Sequence, residues 1–215
     1  ETENFMMYPS KSGDKDVWVK IWKKKNWGDE ASGAHIINSF LETIELAKLS
    51  NSKLFPNILE AGYFEDHVAI ISTVENGKPL ANLKNAVSLS EKDLFASIEW
   101  LVNSFQSLHD LDIYSSSLNE EQTFFNETGN GIEFYFQDFF DLAPKSIDTG
   151  SNKKLSAAQH DRSFVINLSK LLINNINEKT DKIAELSTII DNIETAEHSY
   201  ASFLPIFDFF QRLAA

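Results

Sequence analysis

The chain has 215 residues, 32 Asp plus Glu against 19 Lys plus Arg, and a formal net charge of −13. Its 42% hydrophobic and 12% aromatic content suits one folded domain with a substantial core, and excludes wholesale disorder. With no cysteine there is no disulfide framework and no thiolate chemistry, and the acidic balance excludes a general nucleic-acid binder.

No apolar run reaches the roughly 20 residues of a membrane span, and no secretory signal is visible, so no direct membrane insertion is expected. An intracellular, cytoplasmic protein is the expectation, excised from a longer chain. Lys11, Lys15, Lys20, Lys23, Lys24 and Lys25 crowd one N-terminal stretch, which reads as a solvated hairpin rim. Arg162 and Arg212 are the only arginines, poor provision for bidentate phosphate clamps.

Phe5 to Tyr8 is a short apolar run, and Ser10 to Asp16 is polar and carries Gly13, as a turn should. Val17-Trp18-Val19-Lys20-Ile21-Trp22 supplies β-branched and aromatic residues, so a hairpin is predicted. Lys20 is a charge set inside that apolar strand. Residues 33–49 carry Ile36, Ile37, Phe40, Leu41, Ile44 and Ala47 at helical spacing, with Glu42 and Glu45 beside the stripe. Ile58 to Tyr63 and Val68 to Val74 read as two strands joined at Glu65-Asp66. Glu75-Asn76-Gly77-Lys78-Pro79 then breaks the pattern.

Ser90 and Asp93 form a capping box for a helix with Leu94, Ile98, Leu101, Val102, Phe105 and Leu108 on one side. Thr123 to Phe125 and Ile132 to Phe136 read as a hairpin about Asn130-Gly131. Ile132, Phe134 and Phe136 alternate with Glu133, Tyr135 and Gln137, which predicts a half-buried returning strand. Residues 144–160 read as a polar loop. Three helices are predicted after it, through Val165 to Leu172, Ile183 to Ile193 and Phe203 to Leu213.

The fold class is therefore α+β: a small β-rich lobe with one helix (1–77) joined to a larger, mainly helical lobe (78–215), with a ligand cleft expected between them. His35, His67, His109, His160 and His198 do not converge, so no metal site is expected.

This order of elements, with its particular residues, resembles the eukaryotic-type protein kinase fold from about Met6 to Leu213. Val17-Trp18-Val19-Lys20 is similar to the third-strand motif that ends in lysine, and Glu45 stands near the place of its helical partner, with Glu42 one turn earlier as the competitor. Phe55-Pro56-Asn57-Ile58 is similar to the H-P-N-I run before the fourth strand. Leu108-His109, Ile113 and Ser115 to Phe125 align without gaps on the catalytic loop. There Ser115, Ser116 and Ser117 stand in the His, Arg and Asp positions, and Gln122 in that of the metal-binding Asn. Gln137-Asp138-Phe139-Phe140 resembles the D-F-G site with Phe for Gly, Asp141 being a rival carboxylate. His109 matches a structural kinase histidine, and Asp161 is the candidate for the buried Asp that braces the loop.

The resemblance implies a two-lobed kinase-like domain without the catalytic carboxylate, a pseudokinase acting as a protein-interaction or scaffolding module. The first strand and the Gly-rich phosphate loop are not recognisable, since only Gly13 precedes Lys20. Lys20, Glu45 and Asp138 would form a relic nucleotide cleft in which ATP binds weakly or not at all. The alternative is an atypical phosphotransferase or nucleotidyltransferase holding ATP through those three residues. The frame Ile58 to Val68, with the replaced loop, resembles the Scy1-like pseudokinases, which implies a protein partner, vesicle trafficking and tRNA export.

Overall fold

A computed structural model of the chain describes residues 5–22, 38, 41–46, 53–64, 67–73, 77–83, 89–115, 118, 120–136, 142–143, 151–177, 179–195 and 203–214. β1 (Phe5–Ser12) and β2 (Lys15–Trp22) pair antiparallel from Phe5↔Trp22 to Ser12↔Lys15. The strands extend well into the polar stretch that reads as a turn. Gly13 closes the turn at φ +62, a left-handed conformation that glycine adopts without steric cost. β3 (Ile58–Phe64) and β4 (His67–Thr73) form the second hairpin, and the antiparallel sheet runs β1-β2-β4-β3.

Asn38 and a helix over 41–46 (α1) are described within the stretch predicted as helical. Ile44 of α1 is fully buried in one apolar cluster with Ile58 and Ile70 of the sheet.

The chain then enters a second, mainly helical body. β5 (Lys78–Pro79) pairs with β7 (Thr123–Thr128), which pairs with β8 (Gly131–Phe136). α2 (Glu91–His109) starts as predicted: the Ser90 hydroxyl accepts from the Asp93 amide at 3.1 Å and donates to the Asp93 carboxylate at 2.6 Å. Its stripe from Leu94 to Leu108 is buried. α3 (Ser151–Asn174), α4 (Asp181–Thr195) and α5 (Leu204–Ala214) complete the body, and the two-residue strands β6 (Tyr114–Ser115) and β9 (Leu142–Ala143) pair beside it.

Two expectations are corrected. Residues 151–160 are the first turns of α3 and not loop, because Ala157 and Ala158 bury a small apolar face that a polar average conceals. β8 is not half-buried, since Tyr135 is also covered, at 4% exposure. Its ring stacks on Phe124 at 5.5 Å and closes over Gly77, where any side chain would strike it.

The two bodies are tied by the backbone. The Phe136 amide donates to the Leu54 carbonyl at 2.7 Å, and the Phe55 and Phe136 rings lie 5.8 Å apart. Asn57 and Thr73 lock that connection onto the sheet, with Thr73 N–H to Asn57 O at 2.9 Å and Asn57 N–H to Thr73 Oγ1 at 3.0 Å.

The β7–β8 hairpin is clamped to α2 by Ser97, whose hydroxyl accepts from the Ile132 amide at 2.7 Å and donates to the Asp93 carbonyl at 2.5 Å. Gly131 sits against this contact at φ +114, where an added Cβ would lie 2.5 Å from Asp93 O and from Ser97 Oγ. Ser97→Ala strands the buried Ile132 amide and is expected to lower stability by about 1–3 kcal/mol. Gly131→Ala is expected to cost at least as much, through strain and overlap together. Urea denaturation should show a lower midpoint in both cases with the slope unchanged.

Candidate functional site

Lys20 lies in β2, directly opposite Ile70 of β4. Cross-strand partners project to the same face of a sheet. Ile70 is buried in the apolar core, so Lys20 projects from the core-facing side of the sheet. Only 7% of Lys20 is exposed, and it is among the residues engaged in polar or electrostatic contact. A lysine so buried must have its charge compensated, because an unpaired ammonium in the interior is heavily penalised. Trp18, two residues earlier, occupies the same face, opposite Ser72.

Glu45 is on α1 and exposed, and it too makes a polar or electrostatic contact. Glu42, its rival, is exposed on the preceding turn. Asp138 and Asp141 lie outside the described residues, as do Ser116 and Ser117. Ser115 is in β6, and Gln122 ends the 3-10 turn Glu120–Gln122 that leads into β7. Leu118, between them, is buried at 4% exposure. Tyr114-Ser115, Leu118 and Glu120–Gln122 are thus each held in place, by β6, by burial and by the 3-10 turn. Among the described residues no group of three or more His, Asp or Glu is placed to hold a metal ion.

The best-defined polar contact near this loop is between His109, at the end of α2, and Asp161, in α3. His109 Nε2 lies 3.0 Å from Asp161 Oδ2, and the side chains are 6% and 1% exposed. Phe203 lies nearly parallel to the imidazole at 5.9 Å, and Tyr114 meets it at 4.9 Å, tilted by 37°. Phe105 meets it edge-on at 6.4 Å. Four segments converge on one ring, and the next two residues along from Tyr114 begin the loop.

Tyr114 is a site residue that the sequence reading did not single out. Its hydroxyl donates to Asp112, and burial, followed by the charges of Asp112 and Asp161, raises its pKa above the ordinary phenol value. Asp112 holds φ at 59, a left-handed conformation to which aspartate is better suited than most residues. The signal available in the sequence was Asp112 two residues before an aromatic, a short-range acceptor beside a donor.

Removing the Asp161 carboxylate leaves a buried imidazole without its partner. Asp161→Leu is expected to destabilise by about 3 kcal/mol, and the double variant His109→Leu/Asp161→Leu by less than the sum of the two singles. Denaturation of the four proteins measures the coupling. The raised Tyr114 pKa has a defined sign: its contribution to stability is whole below the unfolded value near 10.0 and is lost as pH rises through the higher folded value. Ultraviolet titration of the protein against Tyr114→Phe should remove one late-titrating phenol, and the variant should lose less stability above pH 10.

No family profile matches the sequence, and no curated protein matches it. Solved structures do match. The PknI kinase domain of Mycobacterium tuberculosis, as a double mutant, superposes with a TM-score of 0.60 at 10% identity, over 97% of this chain and 88% of that one. A second structure of the same domain gives 0.58 at 10% identity, over 99% and 91%. WbdD, crystallised with a kinase inhibitor, gives 0.51 at 11% identity over 100% of this chain, which spans 44% of that protein's length. The chain has a protein-kinase-like fold, with a small antiparallel sheet in its N-lobe and a helical C-lobe.

Proposed function

We propose that the chain is a pseudokinase domain, a binding or scaffolding module on a kinase-like frame, divided into lobes at residues 1–77 and 78–215. The observation that carries this reading is the loop between β6 and β7. Its flanks, Tyr114-Ser115 on one side and Glu120–Gln122 on the other, belong to a kinase-like fold. From Ser115 onward the sequence holds Ser115, Ser116 and Ser117 in the His, Arg and Asp positions, so Ser117 stands where phosphoryl transfer requires a carboxylate to accept the substrate's hydroxyl proton. A serine hydroxyl does not accept that proton near neutral pH. Asp112 precedes the loop, and Asp161 is buried against His109, so neither takes the role.

The buried Lys20 is the one observation that favours the second reading, an atypical phosphotransferase or nucleotidyltransferase. A lysine held inside the sheet face could pair with the phosphates of ATP. Gln122 and Asp138 would be the groups available for a metal, the first through its amide oxygen. On the scaffold reading Lys20 is a structural relic, and the acidic, arginine-poor surface favours a protein partner over nucleic acid. Within the scaffold reading, the likeness to the Scy1-like pseudokinases remains a proposal of the same kind. No helix among the described residues is long and apolar enough to cross a membrane.

A thermal-shift titration with ATP, with and without Mg²⁺ or Mn²⁺, separates the two. Ligand at 100 times its dissociation constant stabilises a fold by about 2.7 kcal/mol, a readily seen shift. The scaffold reading expects no shift at millimolar ATP and none in Asp138→Ala. A metal-dependent shift abolished by Lys20→Ala or Asp138→Ala, with phosphate or nucleotide transferred to any acceptor, sinks it in favour of the enzyme.

A further inference from the structure

The chain holds the dipeptide Asn-Gly twice, at Asn76-Gly77 and at Asn130-Gly131. An asparagine before glycine is chemically labile, because no Cβ shields the next backbone nitrogen from the carboxamide. The two glycines stand in unlike places. Gly77 lies beneath the Tyr135 ring. Gly131 pairs with Thr128 and closes the two-residue tip, Gly129-Asn130, of the β7–β8 hairpin.

That tip is open on one side and clamped on the other. Gly129 and Asn130 are exposed, and a Cβ added at Gly129 would meet nothing within 4 Å. The Asn130 carboxamide makes no hydrogen bond among the described residues. Thr128 shapes the tip instead. Asn130 N–H donates to Thr128 Oγ1 at 3.3 Å, and the Thr128 hydroxyl donates to Gly131 O at 3.1 Å. Gly131, by contrast, is wedged against α2, with no room for a Cβ beside Asp93 O and Ser97 Oγ. The next residue, Ile132, gives its amide to Ser97.

We propose that Asn130 is a site of spontaneous isoaspartate formation, and that this modification releases the hairpin from α2. The Gly131 nitrogen attacks Asn130 Cγ and ammonia leaves, closing a succinimide ring. Gly129, free of neighbours and of a side chain, lets Asn130 turn for that closure while Gly131 stays in its place. Water then opens the ring at either carbonyl, giving aspartate or isoaspartate. Aspartate keeps the backbone at its original length. Isoaspartate routes the backbone through Cβ and Cγ, adding one carbon directly beside the clamp. Gly131 has no space in which to take up that carbon, so the bond from Ile132 to Ser97 opens. The inference is independent of the scaffold reading and of any nucleotide at Lys20.

The test is to age the intact chain for weeks in mildly alkaline buffer, beside Asn130→Gln and Asn130→Asp. Labelling by an isoaspartyl methyltransferase and peptide mass spectrometry locate the modification. Chromatography separates the products for thermal melting. Isoaspartate should accumulate at residue 130 ahead of residue 76, and should be absent at residue 130 of Asn130→Gln, whose longer side chain closes a ring far more slowly. The isoaspartate form should melt at least about 2 °C below the starting protein. Fresh Asn130→Asp should melt with the starting protein, since it carries the new charge without the added carbon. Four outcomes each overturn the proposal: residue 130 stays unmodified in the folded chain, residue 76 is modified first, the isoaspartate form melts with the starting protein, or Asn130→Asp melts as low as the isoaspartate form.

Discussion

Much of the C-lobe hangs on one contact, the buried pair of His109 and Asp161. Neither group can leave its partner without stranding a polar atom in the interior. The pair therefore fixes the end of α2 against the middle of α3. Phe203 stacks on the same imidazole and Tyr114 meets it at a tilt, so the approach to α5 and the start of β6 pack against it.

Around that pair the packing is aromatic. Phe105, Phe136 and Phe164 meet one another at centroid distances of 5.6 to 6.5 Å, and Phe136 also meets Phe55 at the junction between lobes. Rings of this size at edge-to-face angles fill volume and constrain orientation together. The C-lobe core is continuous with the sheet cluster at Ile44, Ile58 and Ile70, so the two lobes share one apolar interior. The Leu54 carbonyl and Phe136 amide add a directional bond to that contact.

Much of this was legible in the sequence. The alternating strands, the capping box at Ser90 and the apolar stripes of α2, α4 and α5 all carry a local period, and the structure follows them. The start of α3 was not, because Ser151 to Lys154 is polar and the first buried side chains along it are the small ones of Ala157 and Ala158. Nor was the second buried face of β8, which depends on Gly77 lying far along the chain from Tyr135. In the candidate site the resemblance marked Lys20, His109 and Asp161, all of which are buried.

The passage out of the sheet has a mechanical consequence. Gly77 lies under the Tyr135 ring, and Lys78 and Pro79 are paired with Phe125 and Phe124. Here the connecting chain is bolted to the C-lobe hairpin, which in turn is bolted to α2 through Ser97. Bending between the lobes cannot pivot freely on residues 77–79 without lifting an aromatic ring and opening a strand pair. Residues 77–79 are thus a stiff link rather than a free hinge, and a swing between the lobes has to be taken up elsewhere along the chain.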